Sequence, residues 1–225
     1  MQYEIWGGTM PAVTLKLDQG ESIYTQSGGM SWMTSGINME TNMSGGLAKG
    51  LGRMFSGESL FMATYTAQAP GQEITIASTI PGEILKFDIN PSYKIIAQKG
   101  AFLCATPGVE LSAYVNKAKT GFLGGEGFVL QQFTGNGMVF CEVDGCVKEV
   151  QLAPGQTMII DTGNVVAWEE SVTYDTQSVK GFKNMLFGGE GLFLTTLTGP
   201  GKIWLQTMSK SELAAAVSPF LGSGK

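Results

Sequence analysis

Three glutamates, Glu58, Glu126 and Glu190, stand in one recurring setting: Gly57-Glu58-Ser59-Leu60-Phe61-Met62, Gly125-Glu126-Gly127-Phe128-Val129-Leu130 and Gly189-Glu190-Gly191-Leu192-Phe193-Leu194. Carboxylates placed at equivalent points are candidates for a ring that binds a cation or a polar ligand through oxygen donors. The same residues have a plainer use. They can cap backbone N–H groups at a glycine turn, or pair with the cations just upstream, Lys49 and Arg53, Lys117 and Lys119, Lys180 and Lys183. Duplication alone would preserve that turn chemistry, and the structural use is the one the residues favour.

Most other chemistry is narrowed by composition. Histidine is absent from all 225 residues, which removes Ser-His-Asp triads, Cys-His dyads and His-ligated metal sites. Three cysteines, Cys104, Cys141 and Cys146, are too few for a four-cysteine zinc site and are expected to be reduced and mostly buried. The run Ser44-Gly45-Gly46-Leu47-Ala48-Lys49-Gly50 lacks the spacing and trailing hydroxyl of a phosphate loop. Lys and Arg number 14 against 19 Asp and Glu, a net charge of -5 that argues against tracking a phosphate backbone. We therefore expect no enzyme activity, no cofactor, no metal and no nucleic-acid partner.

The elements that would position the glutamates repeat with them. Each Gly-Glu is preceded by an aromatic residue (Phe55, Phe122, Phe187) and followed by a threonine (Thr66, Thr134, Thr198), then a glycine turn (Gly71, Gly137, Gly201). A strand-like run closes each copy: Ile74-Thr75-Ile76, Met138-Val139-Phe140 and Ile203-Trp204-Leu205. This order reads as a β-hairpin in each copy. Upstream, a second motif spans Gly20 to Gly28, Ser92 to Gly100 and Gly155 to Gly163, and it leads the Gly-Glu motif by 37, 33 and 34 residues. Two motifs in step three times define three tandem units, about 1–80, 81–143 and 144–208.

Hydrophobic residues at 43%, charged residues at only 15% and 32 glycines fit a folded, turn-rich all-β chain. The expected architecture is three β-sandwich-like units around a pseudo-threefold axis, closed into one domain over 1–225. Ser209-Lys210-Ser211-Glu212 has capping-box spacing and predicts a short C-terminal helix over 209–218. Within the first unit, the glycine-rich stretch Gly45 to Phe55 reads as a connection with some scope for membrane or partner contact. Met30, Met33, Met39, Met43, Met54 and Met62 suit either core filling or an adaptable surface. The start MQYEIWGG has no charged-then-apolar leader pattern and no run approaches a membrane span, so a cytoplasmic location is expected.

The Gly-Gly-Glu-Gly-Leu-Phe around Glu190 and the Phe-Ser-Gly-Glu-Ser-Leu-Phe around Glu58 resemble the bacterial relatives of the altered-inheritance-of-mitochondria family, over essentially the whole chain. That resemblance implies a threefold duplication of units similar to subunits of the tryptophan-RNA-binding attenuation protein. It also implies a tie to inner-membrane organisation in the mitochondrial relatives, no established activity in the bacterial ones, and no catalytic residues. The functional expectation is an oligomeric β-scaffold with a protein or peripheral-membrane partner. The alternative is a small-ligand or metabolite-binding protein with its pocket where units meet.

Overall fold

The computed structural model describes residues 1–26, 28–41, 62–114, 130–178 and 193–221. Its strands are numbered in chain order and every pairing is antiparallel. The first sheet runs β1 (Gln2–Trp6), β2 (Ala12–Leu17), β7 (Gln72–Ala77), β4 (Trp32–Met33). The second runs β5 (Ile37–Thr41), β6 (Met62–Ala67), β3 (Ser22–Gln26), β10 (Phe102–Ala105), β13 (Gly137–Asp144), β8 (Gly82–Ile89). The third runs β11 (Val109–Ala113), β12 (Leu130–Gly135), β9 (Ile95–Gln98), β16 (Val165–Glu169), β19 (Gly201–Gln206), β14 (Val147–Leu152). The fourth is β15 (Thr157–Asp161), β18 (Phe193–Thr198), β17 (Thr173–Ser178).

Alternation of side chains explains how the sheets stack. In β2, Val13, Leu15 and Leu17 are buried while Lys16 is exposed, the period of two that a half-buried strand requires. Leu15, Ile23, Tyr65 and Ile74 belong to a core shared by the first and second sheets. Phe87, Phe102, Phe133 and Trp204 form a core between the second and third. Leu130, Trp168, Leu197 and Ile203 form one between the third and fourth. The two six-stranded sheets are thus covered on both faces, and strands such as β10 and β16 are buried at almost every residue.

The pairings follow a pattern. β7 lies between β2 and β4, β13 between β8 and β10, β19 between β14 and β16. Likewise β6 lies between β3 and β5, β12 between β9 and β11, β18 between β15 and β17. Two more pairings complete the six-stranded sheets: β3 with β10, through Thr25↔Cys104 and Tyr24↔Ala105, and β9 with β16, through Ala97↔Ala167 and Ile96↔Trp168.

The hairpins expected around Gly71, Gly137 and Gly201 are not formed. β6 and β7 belong to different sheets, as do β12 and β13, and β18 and β19. Each glycine turn instead carries the chain from one layer to the next, where the second strand finds other partners. Gly137 shows why glycine is needed: its φ is +156° and a Cβ there would stand 2.2 Å from Thr106 Oγ1. Gly201, at +144°, would meet Ser171 Oγ at 2.6 Å. A turn glycine in sequence marks the corner without saying whether the strands on either side pair with each other.

The expected terminal helix is present as α1 (Lys210–Val217). Its capping box is complete: Glu212 N donates to Ser209 Oγ, and Ser209 N donates to the Glu212 carboxylate at 2.8 Å. No residue of the helix is buried.

Candidate functional site

Glu58, Glu126 and Glu190 all fall outside the described residues, as do the Gly45-to-Phe55 stretch and Met43 and Met54. Of the remaining methionines, Met30, Met33 and Met62 pack partly buried against the cores, whereas Met39 is exposed. Among the described residues no group of three or more His, Cys, Asp or Glu is placed to hold a metal ion.

The cysteines divide two to one. Cys104 and Cys141 are buried on paired strands β10 and β13, and burial pushes both thiols well above the ordinary range. Cys146 is exposed at the turn before β14, so all three thiols are free and two of the three are hidden, in line with the expectation.

One buried carboxylate is fully engaged in structure. Glu142 on β13 accepts hydrogen bonds from Ser78 Oγ at 3.0 Å, from Thr79 N at 3.0 Å, from Thr79 Oγ1 and from Lys210 Nζ. It clamps the chain leaving β7 and the start of α1 to the second sheet. Burial raises the pKa of the neighbouring Asp144 carboxyl, with the charge of Lys210 pulling the other way.

The surface chemistry concentrates on the first sheet. β1 is exposed along its length, and Tyr3, Ile5, Trp6, Met10 and Trp32 are each 39–54% exposed. Register places Trp6 opposite Ala12 and Trp32 opposite Thr75, so two indoles rise from the outer strands over small residues on the inner ones. Their ring centroids lie 6.1 Å apart at a 46° tilt. Trp6 Nε1 donates to Thr14 Oγ1 at 2.9 Å, and Thr14 and Thr75 hydroxyls share a 2.9 Å hydrogen bond, which fixes one indole upright. Tyr3 packs edge-on to Phe140 with centroids 5.2 Å apart, and Lys86 Nζ stands 5.4 Å from its ring centroid. Aromatic rings with one wet edge and a hydrogen-bonded anchor are the usual material of contact surfaces. Sequence reasoning missed the exposed indole pair, whose signal in MQYEIWGG was Trp6; Tyr3 and Ile5 lie on the opposite face of β1, toward the second sheet.

Deep inside, Trp168 is fully buried, stacks on Tyr174 with centroids 5.1 Å apart, and faces Ile96 across the β9–β16 pairing. No acceptor among the described residues meets its Nε1.

The fold defines a layered antiparallel β protein with a pair of exposed indoles on its first sheet. The chain belongs to the family described as mitochondrial biogenesis AIM24, whose model matches residues 3–208. It is similar to an uncharacterized protein of Streptococcus pyogenes serotype M6, 30% identical over 220 residues that cover 94% of this chain and 87% of that one. It is also similar to a protein from Streptococcus pyogenes solved by X-ray crystallography, with a TM-score of 0.78, 27% identity, and coverage of 98% of this chain and 99% of that one. Among the described residues, no helix is long and apolar enough to cross a membrane.

Proposed function

We propose that this protein is a non-enzymatic, cytoplasmic β-scaffold built of three tandem copies of a β-sandwich-like unit, about 1–80, 81–143 and 144–208. In this reading it forms homo-oligomers and works through contacts with a protein or membrane-surface partner. The observation that carries it is the exposed face on β1 and β4, where Trp6 and Trp32 are 41% and 54% exposed. Contiguous exposed apolar surface on a folded chain marks interaction sites. The absence of histidine supports a non-enzymatic role. The three-copy reading draws support from the pairings: two three-stranded arrangements recur in β2–β7, β8–β13 and β14–β19. Native mass spectrometry on protein purified gently from its own cells tests the proposal. A defined oligomer or a retained partner supports it; a bare monomer that also ignores anionic vesicles sinks it.

A second reading, a small-ligand protein with its pocket where copies meet, is favoured by one atom. Trp168 Nε1 is a buried donor beside the β9–β16 pairing with no described acceptor, a kind of group that is ordinarily satisfied. A ligand bound only to the folded chain must raise its Tm. A metabolite and metal-ion panel that leaves Tm unmoved would remove this reading.

A further inference from the structure

Tyr24, Ile96 and Ile159 hold one place in the three proposed copies. Each lies four residues after the start of its motif (Gly20, Ser92, Gly155). Each sits on a strand whose inner neighbour is equivalent, with Tyr24↔Thr64, Ile96↔Gln132 and Ile159↔Thr196. The first two are driven into the next copy. Tyr24 meets Ala105 of β10, joins the core between the second and third sheets and donates to Val109 O at 2.8 Å. Ile96 meets Trp168 of β16 and joins the core between the third and fourth sheets. Their exposures are 5% and 0%, whereas that of Ile159 is 67%.

The receiving strand shows the same contrast. β10 and β16 are buried almost throughout, and each takes a register shift, at Phe102/Cys104 and at Val165/Ala167. Their counterpart in the first copy is β4, where Trp32 is exposed and Met33 only partly buried. Thr34 N donates to Glu73 O as Thr106 N donates to Met138 O, which sets Met33, one residue earlier, at the place of Ala105, and Met33↔Ile74 matches Trp168↔Ile203. Among the described residues, β15 pairs only with β18 and β4 only with β7. One junction used twice inside the chain thus has both of its halves on the surface, unjoined. Neither half carries the lysine or proline that usually blunts a free edge.

We propose that β15 of one molecule pairs with β4 of a second copy of this chain, setting Ile159 opposite Met33 and Ile160 opposite Trp32 and repeating between molecules the β3–β10 and β9–β16 pairings. This rests on the three-copy scaffold reading and names its assembly contact. The contact is head-to-tail, so it makes rings if the rotation closes and open chains if it does not.

The test is sedimentation velocity of the full chain over a concentration series, with Ile159→Lys and Trp32→Lys as variants. Both side chains are exposed, at 67% and 54%, so both variants should keep a Tm close to that of the wild type. The wild type should gain mass with concentration, and each variant alone should stay monomeric. An equimolar mixture should stop at a dimer, because each partner keeps one intact half. An Ile159→Lys chain that assembles like wild type, or a mixture that stays monomeric, overturns the junction while leaving an oligomeric scaffold standing. A wild type that is monomeric at every concentration overturns both.

Discussion

The β9–β16 pairing and the outer edge of β15 make a natural experiment on one kind of strand. Ile96 and Ile159 are the same residue type at matching registers, yet one is fully buried and the other 67% exposed. What differs is whether another strand lies alongside. Burial here is a property of the neighbour, and an apolar strand side chain becomes core or surface according to what the topology sets beside it.

The strongest way to break the comparison is to damage the joined side. Trp168→Ala should cost about 3–5 kcal/mol, from lost transfer energy plus the cavity left against Ile96 and Tyr174. Chemical denaturation reads it as a lower midpoint at unchanged slope. Next, Tyr24→Phe keeps the ring and removes only its hydrogen bond to Val109 O. A loss of about 1–1.5 kcal/mol is expected, and faster amide exchange along β10 and β11 would locate it at the junction. A loss near zero would mean that packing alone holds β3 to β10.

Asp144, on the β8–β13 pairing away from these junctions, has a pH signature of its own. Burial raises the Asp144 carboxyl above its ordinary value, so the folded state prefers it protonated. Its favourable contribution is present below the unfolded pKa and is lost as pH rises through the raised folded value. Asp144→Asn should therefore raise Tm at neutral pH, with the gain shrinking as pH falls through the carboxylate range. A gain independent of pH would point to packing instead. Smallest of all, Ile159→Thr should change the stability of the isolated chain by no more than about 0.5 kcal/mol. A large loss would show that Ile159 is covered in solution.

The sequence anticipated some of these elements well because local chemistry decides them. Ser209 and Glu212 announce their helix start through a cap that needs only four residues. The spans Gly20 to Gly28, Ser92 to Gly100 and Gly155 to Gly163 bracket β3, β9 and β15, since glycine and serine punctuate strands directly. What failed was partnership. Gly137 announces a corner, but β12 and β13 go to different sheets because their partners come from elsewhere in the chain. The contact face was hidden for a related reason: Trp6 and Trp32 are 26 positions apart and meet only after β2 and β7 come between their strands. Nor does Thr157-Met158-Ile159-Ile160 look less like core than Lys94-Ile95-Ile96-Ala97.

Sharing strands between sheets also sets a schedule for the nascent chain. The hydrogen bond from Tyr24 to Val109 spans 85 residues, and at about 5–20 residues per second of synthesis the edge of β3 waits roughly 4–17 s for its partner. During that interval the emerging polypeptide presents an unpaired strand to the ribosome exit and to its siblings on the same message. The ordering that makes the finished layers continuous thus places its period of greatest vulnerability early in translation.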